Sequence, residues 1–180
     1  MSRVVAVEYV SLDGVFEEPA WTGPWWGDDM ADYQYAQLFK SDALLLGRVT
    51  YEGFYASWPN MEAETGDFGV RMNTMPKHVA TTTQDSLEWN ATPIKGDVGA
   101  AVKALKQPEG GDLLIYGSGK LVRYLLGQNL IDEYRLLTYP IVLGQGDRLF
   151  DGSTDAPDLK LADVQRFESG VTSLVYEPTG

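Results

Sequence analysis

The stretch best suited to binding an anion is a small-residue turn in the C-terminal half of the chain. The run Asp112–Tyr116 is short and apolar, as in a buried strand of a parallel sheet, and Gly117-Ser118-Gly119 follows it directly. Lys120 comes next, and from Leu121 onward the apolar residues recur at helical spacing. A helix that begins after such a turn presents unpaired backbone N–H groups and the positive end of its dipole, both of which favour a phosphate.

A second turn of this kind occurs earlier in the chain. The apolar run Ala43–Leu46 precedes Gly47 and Arg48, and Thr50 lies in the first turn of the helix predicted to follow. An arginine suits a phosphate because its guanidinium donates two parallel hydrogen bonds.

A third predicted strand, His78–Thr83, ends in threonines, and the hydroxyls of Thr81 and Thr82 are candidates for contacts to the same ligand. Each of these features also has a purely structural explanation. A glycine turn can merely connect two elements, an arginine beside it can be a surface residue, and threonines are good strand formers. The turn at Gly117 matches neither G-x-G-x-x-G nor a P-loop, because Leu121 stands where a P-loop needs Ser or Thr.

The composition excludes several classes of function. The formal net charge is −12, from 14 basic and 26 acidic side chains, so the chain is a poor candidate for binding nucleic acid or an anionic membrane surface. There is no cysteine and one histidine, which excludes disulfides and the usual Cys/His zinc sites, and we predict no metal. No apolar run approaches the ~20 residues of a membrane span, and no signal-peptide pattern is present. The expected location is the cytoplasm.

A long aromatic-rich stretch follows the first predicted strand, Arg3–Val10. It covers residues 11–27, shows no obvious helix or strand pattern, and includes Phe16, Trp25 and Trp26. Connections of this length are often lids or binding loops. The alternative is a packed surface loop whose tryptophans close one end of the core.

The order of the elements predicts an α/β fold in a single domain spanning residues 1–180. Strands alternate with helices as far as Leu137, which favours a mainly parallel sheet covered on both faces. The runs Leu159–Phe167 and Val171–Glu177 flank a turn signal and indicate a C-terminal antiparallel hairpin. Ligands of such sheets bind beyond the carboxyl ends of the strands, so the three strand ends described above are expected to share one rim.

Several motifs, in this order, resemble the dihydrofolate reductase-like superfamily. They are Ser11-Leu12-Asp13-Gly14, Leu46-Gly47-Arg48-Val49-Thr50-Tyr51-Glu52, Lys77-His78-Val79-Ala80-Thr81-Thr82, Ile115-Tyr116-Gly117-Ser118-Gly119 and Leu130-Ile131-Asp132-Glu133-Tyr134. The later segment Pro140-Ile141-Val142-Leu143-Gly144-Gln145-Gly146 is similar to the branch that contains the reductase domain of the bifunctional riboflavin-biosynthesis deaminase/reductase. The resemblance spans nearly the whole chain. It implies a three-layer α/β/α fold with a mixed, mainly parallel sheet, an NADPH cofactor, a small-molecule substrate and often a homodimer.

The resemblance also implies which residues bind the cofactor. The end of the first strand and the loop after it match the nicotinamide floor and a mobile lid, and the glycine turns match the diphosphate and ribose contacts. The implied cofactor residues are Val7, Gly14, Val15, Gly47, Arg48, Thr50, Thr81, Thr82, Gly117, Ser118, Gly119, Lys120 and Leu121.

The substrate side is less sharply defined by the sequence. Folate reductases carry an acidic residue on the first helix, predicted here over Asp28–Phe39; Asp32 is the nearest candidate, although an ungapped count back from Gly47 reaches Ala31. The proton for the substrate could come from Asp32, from Asp13 or from water. The aromatic residues predicted to contact the substrate are Phe16, Trp25, Trp26, Tyr35 and Trp58.

The stretch from Val4 to Phe39 contains acidic residues but no Lys or Arg, which predicts a flat substrate that is neutral or cationic and stacks on aromatic rings. The sequence thus favours an NADPH-dependent reductase that transfers a hydride to a C=N or C=O bond of a pterin-, pyrimidine- or ribosylaminopyrimidine-like compound, resembling 5-amino-6-(5-phosphoribosylamino)uracil reductase. The alternative is a non-catalytic NADP(H)-binding regulatory module.

Overall fold

The computed structural model describes residues 1–152 and 155–180. The strands are β1 (Val4–Val10), β2 (Ser41–Gly47), β3 (Lys77–Ala80), β4 (Ala91–Ile94), β5 (Asp112–Tyr116), β6 (Glu133–Thr138), β7 (Leu159–Arg166) and β8 (Thr172–Pro178). The α-helices are α1 (Asp28–Phe39), α2 (Arg48–Ser57), α3 (Glu62–Thr65), α4 (Asp67–Thr74), α5 (Val98–Lys106) and α6 (Gly119–Gly127). Short 3-10 helices cover Pro19–Trp25 and Trp58–Asn60.

The strands form one sheet in the order β4-β3-β2-β5-β1-β6-β8-β7. The six strands from β4 to β6 in this order pair in parallel, whereas β8 runs antiparallel to β6 and β7 runs antiparallel to β8. The predicted α/β class, the mainly parallel sheet and the C-terminal hairpin are therefore confirmed.

Strand β1 divides the core into two halves because successive side chains of a strand point to opposite faces. Val4, Ala6 and Val10 belong to the half that contains the buried residues of α5 and α6. Val5 and Val7 belong to the half that contains the buried residues of α1, α2 and α4. The helices thus form a layer on each side of the sheet, in the predicted three-layer arrangement.

The apolar residues of α1, Ala31, Tyr35, Leu38 and Phe39, predict one inward face, and the structure agrees with this only in part. Met30, Gln34 and Leu38 are buried, whereas Tyr35 and Phe39 are 41% and 43% exposed and stack on each other. The buried face includes two polar residues, Gln34 and Gln37, so apolar periodicity predicts Leu38 correctly but misplaces Tyr35 and Phe39.

Two further features differ from the prediction. Strand β3 ends at Ala80, so Thr81 and Thr82 lie in the loop beyond it. The aromatic-rich stretch contains a 3-10 helix, Pro19–Trp25, in place of a purely irregular loop. Over the described residues, the structure has no helix long and apolar enough to cross a bilayer.

Candidate functional site

The two glycine turns lie side by side because β2 and β5 are neighbouring parallel strands. The Gly47 N–H donates to Ser118 Oγ at 2.9 Å. In return, the Ser118 N–H donates to Thr50 Oγ1 at 3.1 Å. The starts of α2 and α6 are thereby joined at the carboxyl rim of the sheet, as the prediction of a shared rim requires.

These hydrogen bonds also correct part of the prediction. The Gly47 and Ser118 N–H groups join the turns to each other and are not free for a phosphate. The N–H groups that can receive an anion belong to the first turns of α2 and α6, neither of which has a side-chain cap. Helices α1, α3 and α4 also begin without a side-chain cap, whereas α5 is capped by Asp97. The position of the α2 and α6 starts side by side is what distinguishes them.

The backbone of the second turn is held in an unusual conformation. Gly117 and Ser118 both have positive φ, 59° and 58°. A left-handed conformation costs a non-glycine residue about 1–2 kcal/mol, so Ser118 adopts it because its surroundings hold it there. Its Oγ accepts from Gly47 and donates to the Tyr116 carbonyl at 3.4 Å.

The residues predicted to bind an anion beside the two turns differ in how exposed they are and in what they contact. Arg48 lies at the start of α2, where its guanidinium donates to both carboxylate oxygens of Glu52 at 3.0 and 2.9 Å. Lys120 is exposed. The Leu121 side chain is buried in the core, which leaves only its backbone for the site.

Beyond β3, Thr81 and Thr82 also differ in their availability. Thr81 is buried, and its Oγ1 accepts from the Thr83 and Gln84 N–H groups at 3.3 and 3.4 Å, so this hydroxyl shapes the loop. Thr82 is exposed. Because β3 lies next to β2, both residues are at the same rim of the sheet as Gly47.

Phe16, which was predicted to contact the substrate, lies against the start of α6. Its ring lies directly over Gly119, where an added Cβ would overlap it. The ring centroid is also 5.9 Å from the Arg123 guanidinium carbon on α6. Phe16 therefore covers the glycine turn that the resemblance assigns to the cofactor, and its contact with a substrate stays a prediction.

Asp13 has a structural role that the sequence did not reveal. Its carboxylate accepts from Ser11 Oγ at 2.6 Å and from the N–H groups of Leu143 and Gly144 at 3.1 and 2.8 Å. These hydrogen bonds, with that of Ser11 the largest cause, lower the pKa of Asp13 to about 2. Asp13 is consequently ionised near neutral pH, which argues against its predicted role as the proton donor.

The loop that holds Gly14 and Val15 is braced by the segment 141–149. Gly14 has φ of 82°, and Val15 is buried and forms an isolated bridge with Arg148. The Phe16 N–H donates to the Asp147 carbonyl at 3.0 Å, and the Asp147 N–H donates to Glu17 Oε2 at 3.0 Å. The sequence supplied this segment only as a family motif, and the structure shows that it supports the first loop.

The opposite face of the sheet holds a second group of aromatic side chains. Val7 is buried there, under α1. Tyr139 is the centre of the group: the rings of Tyr9, Trp21 and Trp25 lie edge-on to it, with centroids 5.7, 5.3 and 6.1 Å away. Of the predicted substrate residues, this group includes only Trp25.

The other predicted substrate residues lie elsewhere. Trp26 is 55% exposed, Tyr35 stacks on Phe39 at the outer face of α1, and the Trp58 ring packs on Phe68 of α4. Asp32 is exposed and is about 200° around α1 from the buried Gln34, at 3.6 residues per turn. It therefore faces away from the core side of its helix, which argues against it as the proton donor.

The described residues contain no cluster of His, Asp or Glu suited to a metal ion. They do contain polar groups that the sequence analysis missed. Tyr9, Gln34 and Tyr116 lie on the α1 side of the sheet, within or beside the aromatic group. The two-residue spacing of Val7 and Tyr9 on one strand is the signal that would have found the first of them.

Known proteins of similar sequence and structure agree with the fold described above. The RibD C-terminal domain family matches residues 3–173. YyaP of Bacillus subtilis strain 168 is 29% identical over 182 residues, covering 99% of this chain and 96% of YyaP. A putative riboflavin biosynthesis protein from Shewanella sp. PV-4 has a similar structure, with a TM-score of 0.79 and 20% identity over 100% of both chains.

A more distant structural relative is the dihydrofolate reductase of Enterococcus faecalis, solved in complex with NADP(H) and RAB-propyl. It has a TM-score of 0.63 and 16% identity, over 99% of this chain and 97% of that one. The likeness of these structures shows a dihydrofolate reductase-like fold. With a family match that covers nearly every residue, the chain belongs to the RibD C-terminal domain family.

Proposed function

We propose that the protein is an NADPH-dependent reductase of the riboflavin and dihydrofolate reductase type. The observation that carries this proposal is the pair of uncapped helix starts, α2 and α6, joined at one rim through Gly47, Thr50 and Ser118. Two helix N-termini side by side suit a diphosphate better than a single phosphate. A relative of the same fold is solved with NADP(H), which supports the same choice of cofactor.

The residues present fit such a cofactor. The first-turn N–H groups of α2 and α6 would hold the diphosphate. Arg48, whose Nη1 now donates to both carboxylate oxygens of Glu52, would turn to a ribose 2′-phosphate, to which a guanidinium can donate two parallel hydrogen bonds. NADPH supplies a hydride when bound. The contribution of this chain is to orient that cofactor, to exclude water with the aromatic rings around Tyr139, and to position the substrate.

The substrate in this proposal is a small heterocyclic compound with a C=N or C=O bond to be reduced. The pterin-like and pyrimidine-like classes both have flat rings that suit the aromatic group under α1. A phosphorylated ribosylaminopyrimidine fits less well, because Val4 to Phe39 supplies no cation for its phosphate.

Titration with NADPH and NADH tests the proposal directly. Trp21 and Trp25 belong to the aromatic group proposed to face the reactants, so binding should quench tryptophan emission. Arg48→Ala should weaken NADPH binding about 10-fold and leave NADH binding nearly unchanged, since only NADPH carries the 2′-phosphate. Lys103→Ala, at an exposed site near the end of α5, is the matched loss of one positive charge and should change neither. Equal weakening of both nucleotides would remove Arg48 from the 2′-phosphate site.

The alternative of a non-catalytic NADP(H)-binding module is separated by turnover. A panel of pterins, pyrimidines and carbonyl compounds, followed by the loss of absorbance from reduced nicotinamide, should reveal oxidation of NADPH with at least one class. Binding without oxidation of NADPH by any compound would favour the regulatory alternative.

A further inference from the structure

A chain of hydrogen bonds runs beneath α1 from β6 to the end of β1. Arg135 pairs with Glu133 at 2.5 Å and donates through Nη1 to Gln37 Oε1 at 3.0 Å. Gln37 Nε2 donates to Gln34 Oε1, and Gln34 Nε2 donates to the Tyr9 hydroxyl oxygen at 2.5 Å. Both glutamines are buried, with 2% and 4% of their surface exposed.

The direction of this chain is determined at its arginine end. A guanidinium has only donors, so Gln37 must present its oxygen to Arg135 and its amide nitrogen to Gln34. Gln34 in turn accepts through its oxygen and must present its nitrogen to Tyr9. The Tyr9 oxygen is therefore an acceptor in this chain, and its own O–H proton is left to donate elsewhere. Among residues 1–152 and 155–180, no group accepts it.

A second hydroxyl in the same place is also without a partner. Tyr116 lies opposite Val7 on the neighbouring strand β5, and Tyr9 is two residues further along the same face of β1. The Tyr116 oxygen is buried and has no hydrogen-bond partner within the described part of the chain. Burial raises the pKa of both phenols, so both remain O–H donors across the neutral range. A buried donor left without an acceptor costs about 1–3 kcal/mol.

The surroundings restrict what can accept from these hydroxyls. The Tyr9 ring is edge-on to Tyr139, and the Trp21 and Trp25 rings also pack against Tyr139. The side chains around the Tyr9 ring therefore include several flat aromatic rings. The cation of the hydrogen-bonded chain, Arg135, is already paired with Glu133. It is therefore a poor partner for a phosphate or carboxylate, whereas a carbonyl oxygen or ring nitrogen needs no counter-charge.

We propose that Tyr9, oriented by Gln34, donates a hydrogen bond to a carbonyl oxygen or ring nitrogen of a flat, neutral heterocyclic substrate, with Tyr116 as a second donor. This rests on the proposed function, which places the substrate on the α1 side of the rim, and it narrows the substrate class. Tyr9 and Tyr116 contact the substrate in this arrangement, and Gln34 is a positioning residue.

The test measures binding of three probes to protein saturated with NADP⁺: pterin, lumazine and, as an anionic comparison, ribose 5-phosphate. We expect the two heterocycles to bind and ribose 5-phosphate not to bind. Tyr9→Phe removes one hydroxyl and should weaken the heterocycles about 5- to 10-fold. Tyr33→Phe is the matched control, since it removes a hydroxyl of the same face that already has a partner in Ser173, and it should leave their affinity unchanged.

Gln34→Glu tests the direction of the chain. A carboxylate only accepts, so the Tyr9 O–H would turn to residue 34 and no longer face the substrate. This variant should lose heterocycle affinity as Tyr9→Phe does, while its affinity for NADPH stays at the wild-type value. A merely structural role of Gln34 would instead lower stability and both affinities together.

The outcomes separate the two proposals. If NADPH fails to bind, the proposed function is wrong. If NADPH binds but neither heterocycle does, if Tyr9→Phe binds them as the wild type does, or if ribose 5-phosphate binds more tightly than they do, the inference about Tyr9 is overturned and the proposed function stands.

Discussion

Glu8 is a carboxyl group inside the core, 2% exposed, on the face of β1 that α6 covers. Its Oε1 has no hydrogen-bond partner among the residues described. Burial raises the pKa of Glu8 well above its ordinary value, and the nearby Arg123 opposes the shift only in part. The unfolded chain therefore releases this proton at a lower pH than the folded protein does. The contribution of Glu8 to the free energy of unfolding is complete below the unfolded pKa and is lost as the pH rises toward the folded pKa.

Glu8→Gln should for this reason stabilise the protein at about pH 7–8 and have no such effect at about pH 4. Glutamine avoids the cost of holding or losing this proton above the unfolded pKa, which is on the order of 1–3 kcal/mol. Each kcal/mol corresponds to a rise of about 2–4 °C in Tm for a chain of this size. Thermal unfolding followed by circular dichroism over this pH range checks it. Glu64→Gln, at an exposed site on α3, is the control and should shift Tm equally little at every pH. A stabilisation by Glu8→Gln that does not depend on pH would contradict the argument.

Residue identity predicted the kind of site better than the role of each acid. Gly47, Thr50 and Ser118 were recognised from their types and spacing, and the structure brings them within hydrogen-bond distance of one another. Asp13 and Asp32 were both candidate proton donors in the sequence. In the structure, Asp13 is held by backbone N–H groups and Asp32 is exposed. Those differences arise from contacts with distant parts of the chain, which spacing along the sequence does not contain.

At the scale of elements, the start of α6 is shaped as much by Phe16 as by any ligand. A Cβ at Gly119 would overlap the Phe16 ring, so glycine is required there even without a cofactor. Loss of NADPH binding in a Gly119 variant would accordingly not prove that the cofactor approaches this turn. The first loop and helix α6 must be varied together to separate the two effects.

Gly119→Ala should destabilise the protein by about 1–3 kcal/mol, the usual cost of overpacking. Phe16→Ala should remove most of that penalty, because it removes the ring that the new methyl group meets. A double-mutant cycle by urea denaturation measures the coupling, which should be strongly favourable between the two changes. Additive effects would show that Phe16 does not rest on this turn. Gly53→Ala, with open space around its Cβ, is the comparison and should lack the coupling.

The elements themselves could be predicted to different degrees. Helix α1 begins at Asp28, as predicted, and its first turn carries two acidic residues. The buried face of α1 could not be read from the sequence, because Gln34 and Gln37 are buried by a hydrogen-bonded chain that ends at Arg135. A prediction from apolar periodicity cannot identify a buried face that is formed partly by polar residues.

For the whole molecule, the alternation of strands and helices predicted the fold class but not the order of strands. The site depends on β2 lying next to β5, two strands that are far apart in the sequence. The net charge of −12 is a property of the whole chain, and it is the basis for predicting no binding to nucleic acid or to an anionic membrane surface. The homodimer implied by the resemblance stays a prediction.

That net charge has a measurable consequence for stability. Like charges on a compact chain repel one another, and salt screens the repulsion over a Debye length of ~10 Å at 0.1 M. Tm at neutral pH should therefore rise by a few degrees as sodium chloride increases from about 0.01 M to about 0.3 M. The rise should shrink at about pH 4, where many carboxylates are protonated. A fall in Tm with salt at neutral pH would show that attractive ion pairs, such as Arg3 with Asp112 and Glu133, outweigh the repulsion.

The bracing of the first loop has a consequence for protein engineering. Residues 11–17 are fastened to residues 141–149 by backbone pairing at Leu12, Phe16 and Leu149 and by the Asp13 and Glu17 carboxylates. The two stretches thus behave as one exchangeable part despite more than a hundred intervening positions. A chimera that borrows the first loop from a homologue should keep its shape only if it borrows the later stretch as well.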